Sequence, residues 1–269
     1  MNKTRAFLKW AGSKYNCLNE ILNHLPQGTR LIEPFGGSGV VFINSHYSSY
    51  VLGESNQDLI KLYTILQKEG ESFINYCQRY FTPEFNQKDT YYELRTTFNS
   101  LKPSKQRAAL FLYLNRHGYN GLCRYNSKGI YNVPFGRYNK PYFPRQEMLY
   151  FHHKSQNAEF IRDDFRKTFD LAQPGDVIYC DPPYMPFSTK TKILPYTQKT
   201  FAEKDQIELA ELARETAAKG IPVIISNHDI EFTRHHYRHA EIKSFPVSRF
   251  INCQANLRQP VRELLAIYS

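Results

Sequence analysis

Residues able to do chemistry stand together at Asp181-Pro182-Pro183-Tyr184, directly after the strand-forming run 177–180. Because neither proline can donate a backbone hydrogen bond to a sheet, we expect the strand to end here. Asp181 then lies at the carboxyl end of a strand, where open α/β sheets bind their ligands. The Asp181 carboxylate and the Pro182 carbonyl can accept hydrogen bonds while the Tyr184 ring stacks, which suits a planar base with an exocyclic amine. By itself, the motif fits a solvated aspartate in a proline turn equally well.

A glycine-rich loop, Gly36-Gly37-Ser38-Gly39, is a second candidate site. Glycines let the backbone approach a ligand closely, and the N-terminus of the helix predicted behind the loop offers free N–H groups. The spacing is neither that of a phosphate-binding P-loop nor that of the NAD fingerprint. Glu54 ends the next predicted strand about 20 residues after the loop, where nucleoside-binding α/β folds place the acid that bonds ribose hydroxyls.

The segment 101–145 contains nine Lys or Arg, nine aromatic residues and no Asp or Glu. Within it, residues 118–126 and 130–134 are predicted to form a hairpin across a Ser-Lys-Gly turn. Cations suit phosphates, and Arg and Asn side chains read base edges in DNA grooves. A basic, aromatic hairpin without acids favours insertion into a DNA groove over a merely solvated surface.

Hydrophobic periodicity and turn residues predict the elements that must position these sites. Strands are predicted at 31–33, 50–54, 158–161, 177–180, 221–226, 241–247 and 261–268. Helices are predicted from about 15 to 25 and at 40–45, 57–68, 71–81, 88–99 and 103–117. A further long helix, ending at Gly220, is predicted to open with a capping box of Thr200 and Glu203. His228 lies at a strand end, where a structural role is the commoner one.

Predicted strands and helices alternate in the first and last parts of the chain, whereas no sheet strand is predicted between about 70 and 145. We therefore expect an α/β fold in which residues 1–69 and 146–269 form a discontinuous catalytic domain around a Rossmann-like sheet. Residues 70–145 are expected to form an inserted helical recognition domain that carries the β-hairpin.

The composition favours a polyanionic partner, since the net charge is +10 with a pI of about 9.3. The five cysteines are scattered without a Cys-x-x-Cys pair, which argues against a zinc site or a disulfide framework and for a reducing, cytoplasmic compartment. We expect no membrane span and no signal peptide, because no apolar stretch has the required length. The oligomeric state is not predicted.

Six stretches, taken in order, resemble the Dam family of DNA adenine-N6 methyltransferases. They are residues 7–15, 33–39, 115–143, 181–184, 226–229 and 263–268. Their order resembles the class with the recognition domain between the glycine loop and Asp-Pro-Pro-Tyr. The resemblance implies an S-adenosylmethionine-dependent methyltransferase of the bacterial or phage type that flips adenine out of double-stranded GATC and methylates N6. No metal ion and no covalent enzyme intermediate are expected.

The resemblance also implies roles for single residues, beginning with Asp181, Pro182 and Tyr184 at the reaction site. With the glycine loop included, cofactor binding is expected at Trp10, Lys14, Phe35, Gly36, Gly37, Ser38, Gly39, Glu54, Asp164, Phe165 and Asp181. DNA contacts are expected at Lys9, Tyr119, Asn120, Leu122, Arg124, Pro134 and Tyr138, with Arg137 added from the same basic segment. The chain departs from the family at three places: Glu54 stands for the usual Asp, Ser13 replaces a usual Gly, and 250–260 lacks a Gly-rich basic pattern.

Other functions use the same features. Asp-Pro-Pro-Tyr chemistry also fits the amines of RNA adenine, cytosine N4 and protein glutamine, although the hairpin favours duplex DNA. A DNA-binding module without catalysis would need neither the 181–184 motif nor the glycine loop. A nicotinamide oxidoreductase is disfavoured, because the fingerprint glycines are missing.

Overall fold

A computed structural model describes residues 3–184, 201–247 and 261–269 of the chain. Seven strands within these residues form one sheet. They are β1 (Arg30–Glu33), β2 (Ser49–Gly53), β3 (Ala158–Ile161), β4 (Asp176–Cys180), β5 (Val223–His228), β6 (Glu241–Val247) and β7 (Val261–Tyr268). Each predicted strand is confirmed, and the predicted bounds of β3, β6 and β7 agree with the structure at both ends.

The strand order is β3-β2-β1-β4-β5-β7-β6. The first five strands in this order are parallel, and β7 runs antiparallel to both β5 and β6. From β1 the chain moves outward to β2 and β3, then returns to β4 on the other side of β1. The order therefore reverses between β1 and β4, and such switch points open a crevice at the carboxyl ends of the strands. This sheet confirms the Rossmann-like α/β class.

Ten α-helices occur in the described residues. They are α1 (Leu18–His24), α2 (Val40–Asn44), α3 (Gln57–Glu69), α4 (Glu71–Gln78), α5 (Lys88–Ser100), α6 (Lys105–His117), α7 (Arg145–Lys154), α8 (Phe165–Phe169), α9 (Glu203–Ala217) and α10 (Glu231–His236). The predicted helices are confirmed, but α7, α8 and α10 were missed. Helices α8 and α10 have only five and six residues, too few to show a periodic pattern. The apolar stripe of α7 is sparse, since only Met148 and Phe151 are buried.

The predicted capping box before the long helix is wrong. Helix α9 begins at Glu203, with Ala202 as the preceding cap residue, so Glu203 cannot be the third residue of its first turn. The Asp205 carboxylate instead accepts a hydrogen bond from the Ala202 N–H at 2.8 Å. Thr200 lies outside the described residues, as do 250–260 and the departure predicted there.

The predicted hairpin is confirmed as a chain reversal but not as a continuous ladder. Tyr125 pairs with Tyr131 and Gly118 with Phe135, each as an isolated antiparallel bridge. Between these bridges, a 3-10 turn at Tyr119–Gly121 interrupts the pairing. Its central residue, Asn120, has φ of 52°, in the left-handed region, and this exposes residues 119 and 120 at the surface.

The inserted helices share a core with the sheet. One apolar cluster runs from β1 through α3 to α6, and all residues of α6 from Ala108 to His117 are buried. The Arg107 guanidinium binds both oxygens of Asp58, at 2.6 and 2.9 Å, and thereby ties α6 to α3. The Tyr125 hydroxyl donates to the same carboxylate at 2.6 Å, so this ion pair also anchors the hairpin.

Replacing Asp58 with alanine should lower the free energy of unfolding by about 3 kcal/mol, because the Arg107 charge is left largely buried without its partner. Denaturant unfolding measures this change. Glu69→Ala is the matched control, since it removes the Lys105–Glu69 pair between the same two helices, where both side chains are about one-third exposed. It should cost less than about 1 kcal/mol. Equal losses in the two variants would contradict the anchoring role of Asp58.

Candidate active site

Asp181 lies directly after β4, at the switch point of the sheet, where the structure confirms a strand that ends at two prolines. Its Oδ1 atom is 2.8 Å from Lys14 Nζ and accepts a hydrogen bond from Ser226 Oγ at 3.1 Å. Lys14 Nζ also donates to the Gly12 carbonyl at 2.7 Å, and this lysine is only 5% exposed. The structure therefore places Lys14, predicted at the cofactor site, on the carboxylate itself.

Tyr184 lies half-buried beside this ion pair. Lys14 Nζ is 4.5 Å from the centroid of the Tyr184 ring, and the ring contacts His228 edge-to-face at 4.6 Å. The Tyr184 hydroxyl donates to Glu263 Oε2 at 3.3 Å. Sequence reasoning gave no role to Glu263. The available signal was a charged residue at the start of an apolar strand run, since Glu263 is only 3% exposed and precedes the buried Leu264.

The backbone around Asp181 is held by polar side chains from neighbouring elements. Tyr179 OH donates to Ser226 Oγ at 3.0 Å, which places the serine for its bond to Asp181. From α9, Gln206 Nε2 donates to the Pro183 carbonyl at 2.8 Å, and Asn227 Nδ2 donates to Gln206 Oε1 at 3.1 Å. The Asp-Pro-Pro-Tyr corner, residues 181–184, is thus a supported turn, which favours a built site over a solvated aspartate.

Burial and neighbouring charges shift the pKa values of Asp181 and Lys14. It raises the pKa of Asp181 above the ordinary aspartate value, against the opposing effect of the Lys14 ammonium, and the nearby Glu263 carboxylate adds to the rise. Burial alone would lower the pKa of Lys14, but the attraction of Asp181 and Glu263 outweighs it, so that pKa is raised. Two carboxylates therefore share one ammonium in this pocket.

If the Asp181 carboxylate accepts the hydrogen bond from substrate, activity should fall as pH drops through its raised pKa. The carboxylate exists above this pKa and is lost below it, so the acid limb of kcat/KM should lie above the ordinary aspartate value of about 3.9. A pH profile measures the limb, with DNA binding followed in parallel to confirm that the protein stays folded. An acid limb at or below the ordinary aspartate value would refute the assignment of this limb to Asp181.

The glycine loop and Glu54 form a second part of the site, next to β1. Glu54 Oε2 accepts from the Gly37 N–H at 3.3 Å, and its Oε1 accepts from the Asn56 N–H at 3.0 Å. Gly37 has φ of +47°, and a Cβ there would lie 3.1 Å from Trp10 Nε1. The loop thus needs glycine at this position, both for its backbone and for the close approach of the indole. The structure brings Trp10, the loop and Glu54 together.

Three phenylalanines form an aromatic wall at the neighbouring strand end: Phe35, Phe165 and Phe201. Phe35 stacks on Phe165 with centroids 5.4 Å apart, and Phe201 packs edge-on against both, at 5.5 and 5.6 Å. Asp164 caps α8 by accepting from the Arg166 N–H, which fixes where Phe165 starts the helix. The Glu54 N–H donates to the Ile161 carbonyl of β3, so the wall and Glu54 belong to one edge of the sheet. Phe201 was missed, since nothing local in the sequence marks it.

Glu33, the last residue of β1, is another acid that sequence reasoning left without a role. It is 3% exposed, and its Oε1 atom has no hydrogen-bond partner among the described residues. Burial, and then the nearby Asp181 charge, raises its pKa well above the ordinary glutamate value. A buried carboxyl oxygen without a protein donor suits a ligand that brings an N–H group or a positive charge.

The candidate DNA-contacting residues gather around the start of the hairpin. Lys9 Nζ lies 3.9 Å over the Tyr138 ring, and Tyr119 N–H donates to the Pro134 carbonyl at 2.8 Å. Tyr119 is 51% exposed. Asn120, Pro134 and Arg137 are exposed as well, and Leu122 and Tyr138 are half-buried.

Arg124 is held within the hairpin rather than projecting freely. Its Nε donates to Asn132 Oδ1 at 2.7 Å, and its Nη2 donates to the Asn132 carbonyl at 3.1 Å. These bonds fix the direction of the guanidinium, which leaves the remaining N–H groups available to a ligand in a defined geometry. A contact between DNA and Arg124 stays a prediction, as it does for the other hairpin residues.

Asn115 joins the hairpin to the segment that leads into the site. Its side chain accepts from the Lys9 N–H at 2.9 Å and donates to the Lys9 carbonyl at 2.7 Å. The same amide donates to the Gly121 carbonyl at 3.1 Å. A Cβ at Gly121 would lie 2.2 Å from Lys9 Cβ, so glycine is needed for this contact.

The described ranges contain no helix with the length and apolar character needed to cross a bilayer. Within the same residues, no group of three or more His, Cys, Asp or Glu side chains has an arrangement suited to a metal ion. Cys17, Cys77, Cys123 and Cys180 are buried free thiols.

Comparison with known proteins shows the family of the chain. The family model for D12 class N6 adenine-specific DNA methyltransferases matches residues 10–249. A DNA adenine methylase from Serratia marcescens is 48% identical over 269 residues, covering 100% of both proteins. Those of Salmonella typhi and Escherichia coli strain K12 are each 46% identical over 268 residues, which cover 100% of this chain and 96% of theirs. The chain therefore belongs to the D12 class of N6 adenine-specific DNA methyltransferases, and its substrate is adenine in DNA.

Proposed function

We propose that this methyltransferase uses S-adenosylmethionine to methylate N6 of adenine within duplex GATC, after flipping the adenine into the pocket at Asp181. The observation that carries the proposal is the 181–184 corner, where the Asp181 carboxylate and the Tyr184 ring both lie against Lys14 Nζ at the carboxyl end of β4. Membership of an adenine-specific family sets aside the alternative amine acceptors and the nicotinamide chemistry. Because the similar DNA adenine methylases come from bacteria, we place the enzyme in the cytoplasm of a bacterium.

The corner can activate a poor nucleophile. The N6 lone pair of adenine is delocalised into the ring, so the amine reacts only if that lone pair is localised. Hydrogen bonds from N6–H to the Asp181 carboxylate and the Pro182 carbonyl would draw the nitrogen toward a tetrahedral geometry. Stacking on Tyr184, worth about 1–3 kcal/mol per base, would offset part of the few kcal/mol that base flipping costs.

Displacement of Lys14 when adenine binds is part of this proposal. Its ammonium lies on Asp181 Oδ1 and over the Tyr184 ring, which are the acceptor and the face that the base would use. The nearby Glu263 carboxylate offers the displaced ammonium a second anionic partner, so the charge is not stranded. When the base enters, its N6–H group thus replaces the Lys14 ammonium as the hydrogen-bond donor to Asp181.

The residues around the glycine loop fit S-adenosylmethionine. Glu54 lies where an acid binds ribose hydroxyls, the aromatic wall offers a surface for a planar base, and Glu33 presents a buried oxygen that suits a positively charged group. When bound, this cofactor supplies an electrophilic methyl group on a sulfonium. The protein's contribution is to hold donor and acceptor in line and to exclude water.

We assign target recognition to residues 70–145 and catalysis to residues 1–69 and 146–269. Support for this division comes from the chain, which leaves the sheet after β2 and rejoins it only at β3, and from the basic hairpin that lies between them. The exposed Tyr119 and Asn120 are suited to wedge between base pairs, while the fixed Arg124 is suited to read a base edge.

A plasmid lacking adenine methylation tests the proposal. Incubation with the enzyme and S-adenosylmethionine should protect GATC sites from a nuclease blocked by N6-methyladenine and expose them to a nuclease that requires it. A short duplex in which GATC is changed to GTAC should accept little methyl group. Methylation that ignores this change would refute the GATC assignment, and no transfer at all would refute the proposed cofactor.

A further inference from the structure

Arg166, the second residue of α8, is bound by three carboxylates. Its Nη1 pairs with Asp164 at 2.8 Å, its Nη2 pairs with Asp205 at 2.7 Å, and two of its nitrogens form a bidentate pair with Glu208. Asp205 and Glu208 lie on α9, so the guanidinium joins two helices that are distant in sequence. The Arg166 guanidinium holds the pKa of Glu208 below its ordinary value, as expected for a strong pair.

This cluster lies directly against the aromatic wall. The guanidinium is 4.4 Å from the centroid of the Phe165 ring, which in turn stacks on Phe35. Phe201 comes two residues before α9 and packs against both rings. The two segments joined by Arg166 are therefore those that supply Phe165 and Phe201, and the wall keeps its shape only if they stay together.

We propose that Arg166 is a positioning residue for the adenine ring of the methyl donor, because it fixes Phe165 and Phe201 in one wall. The inference rests on the proposed function. Without the guanidinium, Asp164, Asp205 and Glu208 are three negative charges that repel one another across the junction of α8 and α9. The junction would open, and the wall would lose its fixed spacing.

If Arg166 served only to stabilise the fold, its substitution would lower the stability of the whole protein. The Arg166 side chain is 34% exposed, and its partners Asp164, Glu208 and Asp205 are 48%, 44% and 13% exposed. The pairs with Asp164 and Glu208, which are accessible to water, contribute little to global stability. Their loss should therefore alter the spacing of the wall without unfolding the protein.

Three variants separate these roles. Arg166→Met removes the charge but keeps a stem that can pack on Phe165, and Arg166→Lys keeps the charge but loses the planar fork. Lys167→Met is the matched control, since Lys167 is on the same short helix and forms an exposed pair with Asp170 at 3.3 Å. Dissociation constants for S-adenosylhomocysteine and for adenosine are measured by calorimetry, together with kcat, KM, DNA affinity and thermal unfolding.

For Arg166→Met, we expect the dissociation constant of S-adenosylhomocysteine to rise about tenfold, because the adenine ring would lose part of its stacking on a wall whose spacing has changed. The adenosine constant should rise by the same factor, since the loss lies at the adenine end. In Arg166→Met, the KM for the methyl donor should rise, while kcat and DNA affinity stay nearly unchanged. The dissociation constants of Arg166→Lys should lie between those of Arg166→Met and the wild type. Those of Lys167→Met should match the wild type. Added salt should partly restore binding in Arg166→Met, because it screens the three carboxylates.

Wild-type affinity in Arg166→Met would overturn the inference and leave the proposed function standing. So would an equal loss in Lys167→Met, or a fall in kcat with KM unchanged. If the wild type does not bind S-adenosylhomocysteine, the proposed function and the inference fail together.

Discussion

Asp181→Ala should abolish methyl transfer while DNA binding persists. In the proposed mechanism, the carboxylate accepts a hydrogen bond from the N6–H group, and this bond strengthens as the nitrogen becomes tetrahedral. Removing one interaction of this kind costs on the order of 10²–10³ in kcat, and the lost charge adds to it. We therefore expect activity to fall roughly 10³-fold or more, measured as transfer of a labelled methyl group to a GATC duplex.

Two variants test whether the loss of activity arises from the chemical step. Asp181→Asn keeps the shape of the side chain and one acceptor oxygen but removes the charge, so it should also be nearly inactive. Asp170→Ala removes an aspartate whose side chain is 66% exposed, at the end of α8, and should leave activity unchanged. An active Asp181→Ala enzyme would remove the residue from the mechanism. Loss of DNA affinity equal to the loss of activity would assign it to binding instead.

DNA affinity should fall steeply with salt. If the basic segment 101–145 and the lysines near the N-terminus neutralise six to ten phosphates, the association constant should drop roughly 10³–10⁵-fold between 50 and 200 mM salt. The physical cause is the release of condensed counterions when cations replace them on the duplex. Fluorescence anisotropy of a labelled duplex measures the slope of log K against log salt concentration.

Substitution of single lysines shows which of them contact the DNA phosphates. Lys128 is exposed at the tip of the hairpin, and Lys128→Ala should make the slope shallower by about 0.9. Lys219 is equally exposed but follows α9, away from the hairpin, so Lys219→Ala should leave the slope unchanged. A flat salt response in the wild type, or equal effects of the two variants, would contradict phosphate binding by the hairpin.

The sequence predicts the elements that local patterns control. The run before Asp181 becomes β4, and the prolines end it as their missing N–H groups require. The loop at Gly36 lies between β1 and α2, with Glu54 at the end of the next strand. In each case the signal lies within a few residues, because periodicity, proline and glycine act on the backbone nearby.

What the sequence does not predict depends on residues far apart in the chain. Glu263 reaches Tyr184 across 79 positions, and Arg166 reaches Glu208 across 42. Nothing near either acid marks the partner, since both contacts exist only after the sheet has brought their elements together. The ammonium of Lys14 on Asp181 is a third case: the residue was placed in the site, but its partner depends on tertiary packing.

The short segment from Lys9 to Lys14 has a mechanical consequence. One end is clamped to the hairpin by the amide of Asn115, its Trp10 packs on the loop at Gly37, and its other end covers Asp181. Between these ends, residues 10–13 form a turn, closed by a hydrogen bond from the Ser13 N–H to the Trp10 carbonyl at 3.2 Å. In the proposed mechanism, a DNA contact at Lys9 and a base that displaces Lys14 from Asp181 therefore act on the two ends of one short segment.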